Sequence, residues 1–282
     1  WGPGRPGWHI VCSALATQYL GQPFDIHGGG RDLIFPHHEN EIAQSEGAEG
    51  KPFAGCWMHN GALTINDEKM SKSLGNIFKT GEAIKQYDVE ALRYFLLSNH
   101  YRSPLDFTEQ AIRDCQEALD RFYEATARVG PVASPGVGRR MPLIAELERK
   151  VDAALDDDLN TPKVFAAIFE TVRELNRMAD AQEPSAAERA GLAQAWHGFR
   201  SRAHAVLGLF GSDPAVFRER VARLATRARG VDPAAIERLV AERNAARRAK
   251  DFAQSDRLRT QLTAMGVEIK DRPDGTTAWK LK

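Results

Sequence analysis

The chain has 282 residues, and its 38 basic side chains are balanced by 38 acidic ones, so the formal net charge is zero. A neutral total excludes nucleic-acid binding driven by overall charge, and any such binding must depend on local clusters of basic residues. Three cysteines without regular spacing favour a reducing compartment. No apolar stretch approaches the ~20 residues of a membrane span, and no signal peptide opens the chain, so we expect a cytoplasmic protein.

The first part of the chain, up to about residue 78, is predicted to be α/β. The segment "PGWHIVCSALATQYLG" predicts a helix with Pro6 near its start and Gly21 as its stop. "PFDIHGGG" predicts a short strand that runs into a glycine turn, and "FPHHENEIAQSEGA" opens a second helix. "CWMHNGALTI" predicts a strand that leads into the polar segment "INDEKMSKSLGN".

The rest of the chain is predicted to be mostly helical. "GEAIKQYDVEALRYFLLSNH" predicts two short helices, and apolar residues at helical spacing follow at Ile112, Cys115, Leu119, Phe122 and Tyr123. Further helical patterns at 143–156, 161–181 and 186–209 predict an antiparallel bundle. The tail predicts two helices and a hairpin that turns at Asp274-Gly275. We divide the chain into domains at 1–78, 79–110, 111–211, 212–230 (a basic linker or insertion) and 231–282.

The polar segment at 65–76 has the composition of an exposed, anion-binding loop. It is too polar for a core and lacks the apolar period of an amphipathic helix. Lys69 and Lys72 stand on either side of Ser71, and flexible ammonium groups suit a phosphate that moves during a reaction. The alternative is a solvated turn whose charges are incidental.

Cys12 and the segment "PHHENE" offer the ligand types of a zinc site. His37 and Glu41 are four residues apart, so both side chains project from one face of a helix. Spacing alone does not choose His37 over His38. Trp8 lies one turn before Cys12 and would wall the same pocket. The alternatives are a core cysteine and a solvated first turn. Three ligands with an open position would describe a catalytic zinc, unless a fourth ligand lies elsewhere in the protein.

The tail segment "ERNAARRAKDFAQSDRLR" combines basic residues, an aromatic ring and carboxylates. Recognition of single-stranded RNA uses such a combination, because cations hold phosphates, rings stack on bases and carboxylates accept hydrogen bonds from base edges. The alternative is a solvated helix with many salt bridges.

These segments together resemble the cysteinyl-tRNA synthetases, a family of class I aminoacyl-tRNA synthetases. The resemblance runs through "WGPGRPGWHIVCSA", "FDIHGGGRDLIFPHHENEIAQSE", "INDEKMSKSLGN", "LDDDLNTPKV" and "KDFAQSDRLR", with "GTTAW" at the end. It implies part of a Rossmann-like catalytic domain, a helical bundle of the anticodon-binding type and a small α+β domain. The family's HIGH-type sequence and its N-terminal zinc-ligating cysteine are absent here. We therefore expect the C-terminal part of the enzyme, inactive by itself.

The resemblance also implies substrates and site residues. ATP, with Mg²⁺, would activate L-cysteine to cysteinyl-adenylate for transfer to tRNA-Cys, and one zinc ion would select the substrate thiol. We expect a monomer with no membrane partner. The site residues implied are Lys69 and Lys72 for catalysis, Lys69, Met70, Ser71, Lys72 and Ser73 for ATP, Trp8, His27 and Asp32 for cysteine, Cys12, His37 and Glu41 for zinc, and Arg247, Phe252, Asp256, Asp271 and Trp279 for the anticodon.

Some features depart from the family, and two other functions remain open. Phe252 stands where the family has tryptophan, and Ala278 separates "GTT" from Trp279. A mycothiol cysteine ligase shares the zinc, the lysine loop and the adenylate chemistry, but it has no anticodon to read. The other function is that of a non-catalytic RNA-binding fragment.

Overall fold

The computed structural model describes residues 2–69, 79–132, 141–181, 185–229, 233–249, 251–271 and 277–281. The chain divides into two compact units. The first comprises Trp1–Ile77, Phe95–Ala111 and Glu146–Ile168, and the second comprises Phe78–Tyr94, Ile112–Ala145 and Phe169–Lys282. Among the described residues, no helix combines the length and apolar character needed to cross a membrane.

The first unit begins with the helices and strands that carry the candidate metal ligands. Helix α1 (Trp8–Leu20) ends at Gly21, whose φ of 79° favours glycine. Strand β1 (Phe24–Gly30) is followed by a 3₁₀ turn (Arg31–Leu33) and a kinked segment (Ile34–His38) with Phe35 extended, which runs directly into helix α2 (Glu39–Glu49). Strand β2 (Ala54–Asn60) pairs with β1 in parallel.

The predicted glycine turn after β1 is wrong, because the three glycines belong to the strand. Gly29 pairs with His59 of β2, and Gly28 and Gly30 pair with the residues on either side. A Cβ atom on Gly29 would lie 2.8 Å from Cε1 of His38 and 3.0 Å from Cδ1 of Leu33. Glycine is needed at this position because other side chains approach the strand closely.

The predicted strand at 56–65 is two strands in different sheets. After β2, the chain passes Gly61 and forms β3 (Leu63–Ile65), which pairs with β4 (Glu68–Lys69) and, in parallel, with β5 (Leu105–Phe107). Asn66 and Asp67, both with positive φ, form the turn between β3 and β4. A Cβ atom at position 61 would overlap with the backbone oxygen of Ser103, so only glycine fits at this position.

The helices predicted from Thr80 onward are present with nearly the expected bounds. They are α3 (Thr80–Gln86), α4 (Val89–Ser98), α5 (Glu109–Val129), α6 (Pro142–Asp156), α7 (Thr161–Ala181) and α8 (Ala186–Leu207). The predicted apolar stripe of α5 is buried throughout. In the second unit, Trp196 of α8 packs against Phe122 and its ring N–H donates to Thr126 Oγ1 at 3.1 Å.

The segment 212–230, predicted to be a basic linker or insertion, contains helix α9 (Pro214–Arg229), which belongs to the second unit. Phe217 is fully buried and stacks on Tyr123 at 4.0 Å between ring centroids. Arg220 forms ion pairs with Asp88 and Glu90 at 2.5 and 2.9 Å. These contacts tie α9 to the segment around the start of α4 and to α5.

The tail has the predicted two helices and hairpin. Helices α10 (Pro233–Arg248) and α11 (Phe252–Ala264) precede strands β6 (Val267–Asp271) and β7 (Thr277–Leu281), which pair antiparallel. A small apolar core of Ile236, Val240, Leu262 and Val267 holds them together. The predicted turn at Asp274-Gly275 lies outside the described residues.

Candidate functional site

The three predicted metal ligands come together in the first unit. One ligand atom each from Cys12, His37 and Glu41 lies within 4.8 Å of the others. The kinked segment Ile34–His38 continues into α2, so His37 and Glu41 lie about one turn apart, with Nε2 of His37 2.6 Å from Oε1 of Glu41. Cys12 comes from α1, which packs against α2.

The carboxylate of Glu41 is fully buried, and each of its oxygens faces an imidazole. Its Oε2 lies 2.7 Å from Nε2 of His27, and its Oε1 faces His37. Neither contact has hydrogen-bond alignment, and neither oxygen has a hydrogen-bond partner within the part of the chain that the structure describes. A buried carboxylate in this condition is costly. A divalent cation would satisfy both oxygens, and the set of thiol, imidazole and carboxylate fits zinc.

Trp8 and His9 enclose this cluster. The indole ring of Trp8 stacks on His37 with centroids 4.3 Å apart, and 63% of Trp8 is exposed. Nδ1 of His9 lies 2.6 Å from Nδ1 of His37. Burial, together with the charge of Glu41, raises the pKa of the Cys12 thiol, and a hydrogen bond from Trp8 acts in the opposite direction. A bound cation would favour the thiolate.

A second group of three possible ligands shares the same carboxylate. His27 and His38 lie with Glu41 within 4.8 Å. Nδ1 of His38 is 2.7 Å from Nε2 of His59, and burial with the neighbouring histidines lowers the pKa of His38 to about 4. His38 is therefore neutral at physiological pH. The spacing left open the choice between His37 and His38; in the structure His37 is grouped with Cys12 and Glu41, whereas His38 is grouped with His27 and Glu41 and contacts His59.

Of the residues predicted to bind cysteine, the structure brings two into the cluster and leaves one outside it. His27 lies against Glu41, and Trp8 covers His37. Asp32 is exposed in the 3₁₀ turn, where its carboxylate folds over Gly30, and no described contact joins it to the cluster. His9 and His59 were not predicted as site residues, and His38 was considered only as an alternative to His37. For His59 the available signal was its place in the strand after "HHENE", since parallel strands bring their carboxyl ends to one edge.

We call residues 69–73 the lysine loop, and of these only Lys69 is among the described residues. Lys69 is the last residue of β4 and pairs with Thr64 of β3. Met70, Ser71, Lys72 and Ser73 lie outside the described residues.

In the tail, the predicted RNA-binding residues occupy different environments. Nη1 of Arg247 lies 2.5 Å from Oδ2 of Asp271. Phe252 and Asp256 are both exposed one turn apart on α11, and 64% of Phe252 is accessible. Trp279 is partly buried and packs against the small apolar core.

The buried Arg243 was not predicted as a site residue, although it also binds Asp271. It belongs to the basic run of the tail, but its burial and its pairing with the hairpin depend on the fold.

The chain is similar to protein families and individual proteins that are already known. The sequence matches the family models described as "tRNA synthetases class I (C) catalytic domain" over residues 1–117, "DALR domain" over 150–211 and "Cysteinyl-tRNA ligase anticodon binding domain" over 232–279. It is 50% identical to a cysteine–tRNA ligase of Geobacter sulfurreducens over the whole chain and 59% of that relative. It is 49% identical to one of Thioalkalivibrio sulfidiphilus over 99% of the chain and 57% of the relative. The chain thus spans a little under three fifths of these relatives.

Two solved structures share the fold at low identity. A LeuRS–tRNA–LeuAMS ternary complex of Agrobacterium radiobacter K84 matches with a TM-score of 0.52 and 16% identity, over 70% of this chain and 27% of that one. Methionyl-tRNA synthetase of Mycobacterium tuberculosis in complex with methionyl-adenylate matches with a TM-score of 0.51 and 21% identity, over 75% and 45%. Together with the family models, they confirm the predicted fold class.

Proposed function

We propose that this chain, which belongs to the cysteine–tRNA ligase family, serves the ATP-dependent activation of L-cysteine to cysteinyl-adenylate and its transfer to tRNA-Cys. The observation that carries the proposal is the buried cluster of Cys12, His37 and Glu41, whose carboxylate lacks hydrogen bonds in the described part of the chain. It lies within the segment that matches the catalytic-domain family.

The cluster supplies a reason for selecting cysteine. We propose that Cys12, His37 and Glu41 hold one zinc ion. A pocket that works by shape rejects a near-isostere such as serine poorly. Zinc, when bound, prefers a soft sulfur ligand over a hydroxyl and so supplies the discrimination.

The neighbouring side chains orient the amino acid. Trp8 keeps one face on His37 and has most of its surface exposed, so it offers an aromatic wall beside the cluster. His27 stays against Glu41 and packs edge-on to Trp57, with ring centroids 4.6 Å apart, which fixes its imidazole at the edge of the same site. Asp32 is proposed to face the substrate from the exposed 3₁₀ turn.

For ATP we propose the lysine loop. Lys69 and Lys72 would stabilise the charge that spreads over the phosphates during adenylate formation, and Met70, Ser71 and Ser73 would contact the nucleotide. Mobile ammonium groups suit this role, because charge has to follow the leaving pyrophosphate.

For tRNA we propose that the tail reads the anticodon. The exposed ring of Phe252 can stack on an unpaired base, with Asp256 one turn away on the same helix. Arg247 and Asp271 would supply hydrogen-bonding groups to base edges. Trp279 would contribute mainly by supporting the hairpin, since it packs on the core.

Two cysteine variants test the proposal in the protein that carries this sequence. Cys12→Ser should lower the zinc content and abolish cysteine-dependent ATP–pyrophosphate exchange. Cys56→Ser is the matched control, because Cys56 is exposed on β2 and outside both ligand groups, and it should change neither quantity. Normal zinc and normal exchange in Cys12→Ser would contradict the proposal. Exchange without any charging of tRNA-Cys by the unaltered protein would favour a ligase that delivers cysteine elsewhere.

A further inference from the structure

We infer that the buried Arg243 is a positioning residue for RNA recognition: it fixes the carboxylate of Asp271 and, through it, the exposed guanidinium of Arg247. The inference rests on the proposed function, because it assigns a role within the surface proposed to read the anticodon. Arg243 itself is not proposed to touch RNA.

The geometry of the pair is bidentate. Nη1 of Arg243 donates to Oδ1 of Asp271 at 2.9 Å, and Nη2 donates to Oδ2 at 3.0 Å. The Arg243 side chain is 5% exposed, whereas the Asp271 side chain is 38% exposed. Two parallel, charge-assisted hydrogen bonds fix the carboxylate in both direction and distance. The same contact holds the pKa of Asp271 well below its usual range.

The position of Arg243 in α10 argues for a specific role. Ile236 and Val240 point into the small core of the tail, and Arg243 follows on the same face of the helix. A buried ion pair is often no more stabilising than apolar side chains of similar volume. Stability alone therefore gives no reason for arginine at this position, whereas the placing of a carboxylate does.

The carboxylate of Asp271 has several partners in this arrangement. Besides the two bonds from Arg243, its Oδ1 lies 2.7 Å from Thr277 Oγ1, whose one proton goes either to this oxygen or to Oδ1 of Asn244 at 2.8 Å, and its Oδ2 pairs with Nη1 of Arg247. A carboxylate has about four acceptor positions, so a base reaches Asp271 only when one partner moves. Arg247, with 46% of its side chain exposed, is free to move towards a ligand, whereas Arg243 is held by burial.

Arg243 therefore keeps Asp271 in place whether Arg247 contacts the carboxylate or the RNA. Without Arg243, the charges of Asp271 and Arg247 remain but their side chains are no longer held in fixed positions. RNA binding then has to order both side chains, which costs conformational entropy. We expect about 10-fold weaker binding of the cognate RNA from this cost. A base-substituted RNA, which gains little from the fixed positions, should lose less.

The experiment measures the dissociation constants of tRNA-Cys and of tRNA-Cys with one substituted anticodon base, at two salt concentrations. Arg243→Met and Arg243→Lys should both reduce the ratio of the dissociation constants of the substituted and the cognate RNA. Lysine should do so because it keeps the charge but not the bidentate geometry. The salt dependence should stay unchanged, because Arg243 meets no phosphate. Arg248→Ala removes an exposed charge from the end of the same helix and should weaken the binding of both RNAs equally.

A double-mutant cycle decides whether Arg243 acts through Asp271. On an Asp271→Asn background, Arg243→Met should add little further loss. Additive losses, or an unchanged ratio between the two RNAs in Arg243→Lys, would overturn the inference while leaving the proposed function intact. An unaltered protein that does not prefer the cognate anticodon would overturn both. Thermal unfolding of each variant shows whether its tail is still folded. If the tail of Arg243→Met is unfolded, the RNA binding of Arg243→Lys decides for or against the inference.

Discussion

Replacing Arg220 by methionine should destabilise the second unit, because Arg220 is the cation of a largely buried ion-pair network. Its Nε lies 2.5 Å from Oδ2 of Asp88, and its Nη2 lies 2.9 Å from Oε2 of Glu90. Methionine keeps the apolar part of the side chain but loses the guanidinium group, whose Cζ also lies over the Phe217 ring, 5.3 Å from its centroid. The positive charge between the two carboxylates is what the substitution removes.

The size of the effect follows from the burial of the two carboxylates. The side chains of Asp88 and Glu90 are 1% and 8% exposed. Glu90 would keep the hydroxyl of Tyr123 at 2.8 Å and the N–H of Phe210 at 2.5 Å, so only its charge becomes unmatched. Removing one partner of a buried pair costs about 3–5 kcal/mol. Because 24% of the Arg220 side chain is exposed and water can enter, we expect a value near the lower end.

Thermal and urea denaturation test this expectation. A loss of about 3 kcal/mol should lower the unfolding midpoint of the second unit by about 6–12 °C. Arg218→Met is the matched control, because Arg218 is exposed on the same helix and its Nε donates to the backbone oxygen of Pro214. The free energy of unfolding of Arg218→Met should stay within about 0.5 kcal/mol of that of the unaltered protein. Equal midpoints for the two variants would refute the reasoning.

Three further outcomes are expected. Glu41→Gln should weaken zinc binding by at least about 10-fold in a chelator competition, and an unchanged midpoint would remove Glu41 from the metal site. Lys72→Ala should lower kcat for ATP–pyrophosphate exchange about 10²–10³-fold without changing KM for cysteine, whereas a raised KM alone would contradict its role in the transition state. Hydrogen bonds from Arg102 and Tyr101 lower the pKa of Asp158 from 3.8 to about 2, so its charge stabilises the folded state above pH ~4 and ceases to do so as the pH falls through ~2. The midpoint difference between Asp158→Asn and the unaltered protein should shrink over that range, and a constant difference would exclude this ion pair as its source.

The helices were predictable because their signals are local. The apolar stripe of α5 repeats every three to four residues, and all of its members are buried as predicted. Gly21 likewise ends α1 where the sequence indicates. For the metal ligands, the residue types and the family resemblance were enough to nominate Cys12, His37 and Glu41, and the structure brings their ligand atoms together.

The features that sequence reasoning missed depend on pairs that are far apart in the chain. Arg220 meets Asp88 across 132 positions, so nothing near α9 revealed that this basic helix is tied into a core. The role of Arg243 requires the hairpin to bring Asp271 beside it, 28 positions later. The glycines of β1 carried a turn signal, but the close approach of side chains from the following segment determines their place in the strand.

Gly29 and His38 share a space that holds only one side chain. Since a Cβ atom at position 29 would lie 2.8 Å from the imidazole of His38, even alanine there must displace that ring, and with it the contact to His59. In a library that varies both positions, a side chain at position 29 should destabilise the protein when position 38 is histidine. It should be tolerated only when a residue smaller than histidine stands at position 38. The size of the effect of a substitution at one position would thus depend on the residue at the other. The two positions would therefore be inherited as a pair, and sequence drift at either one would be limited by the other.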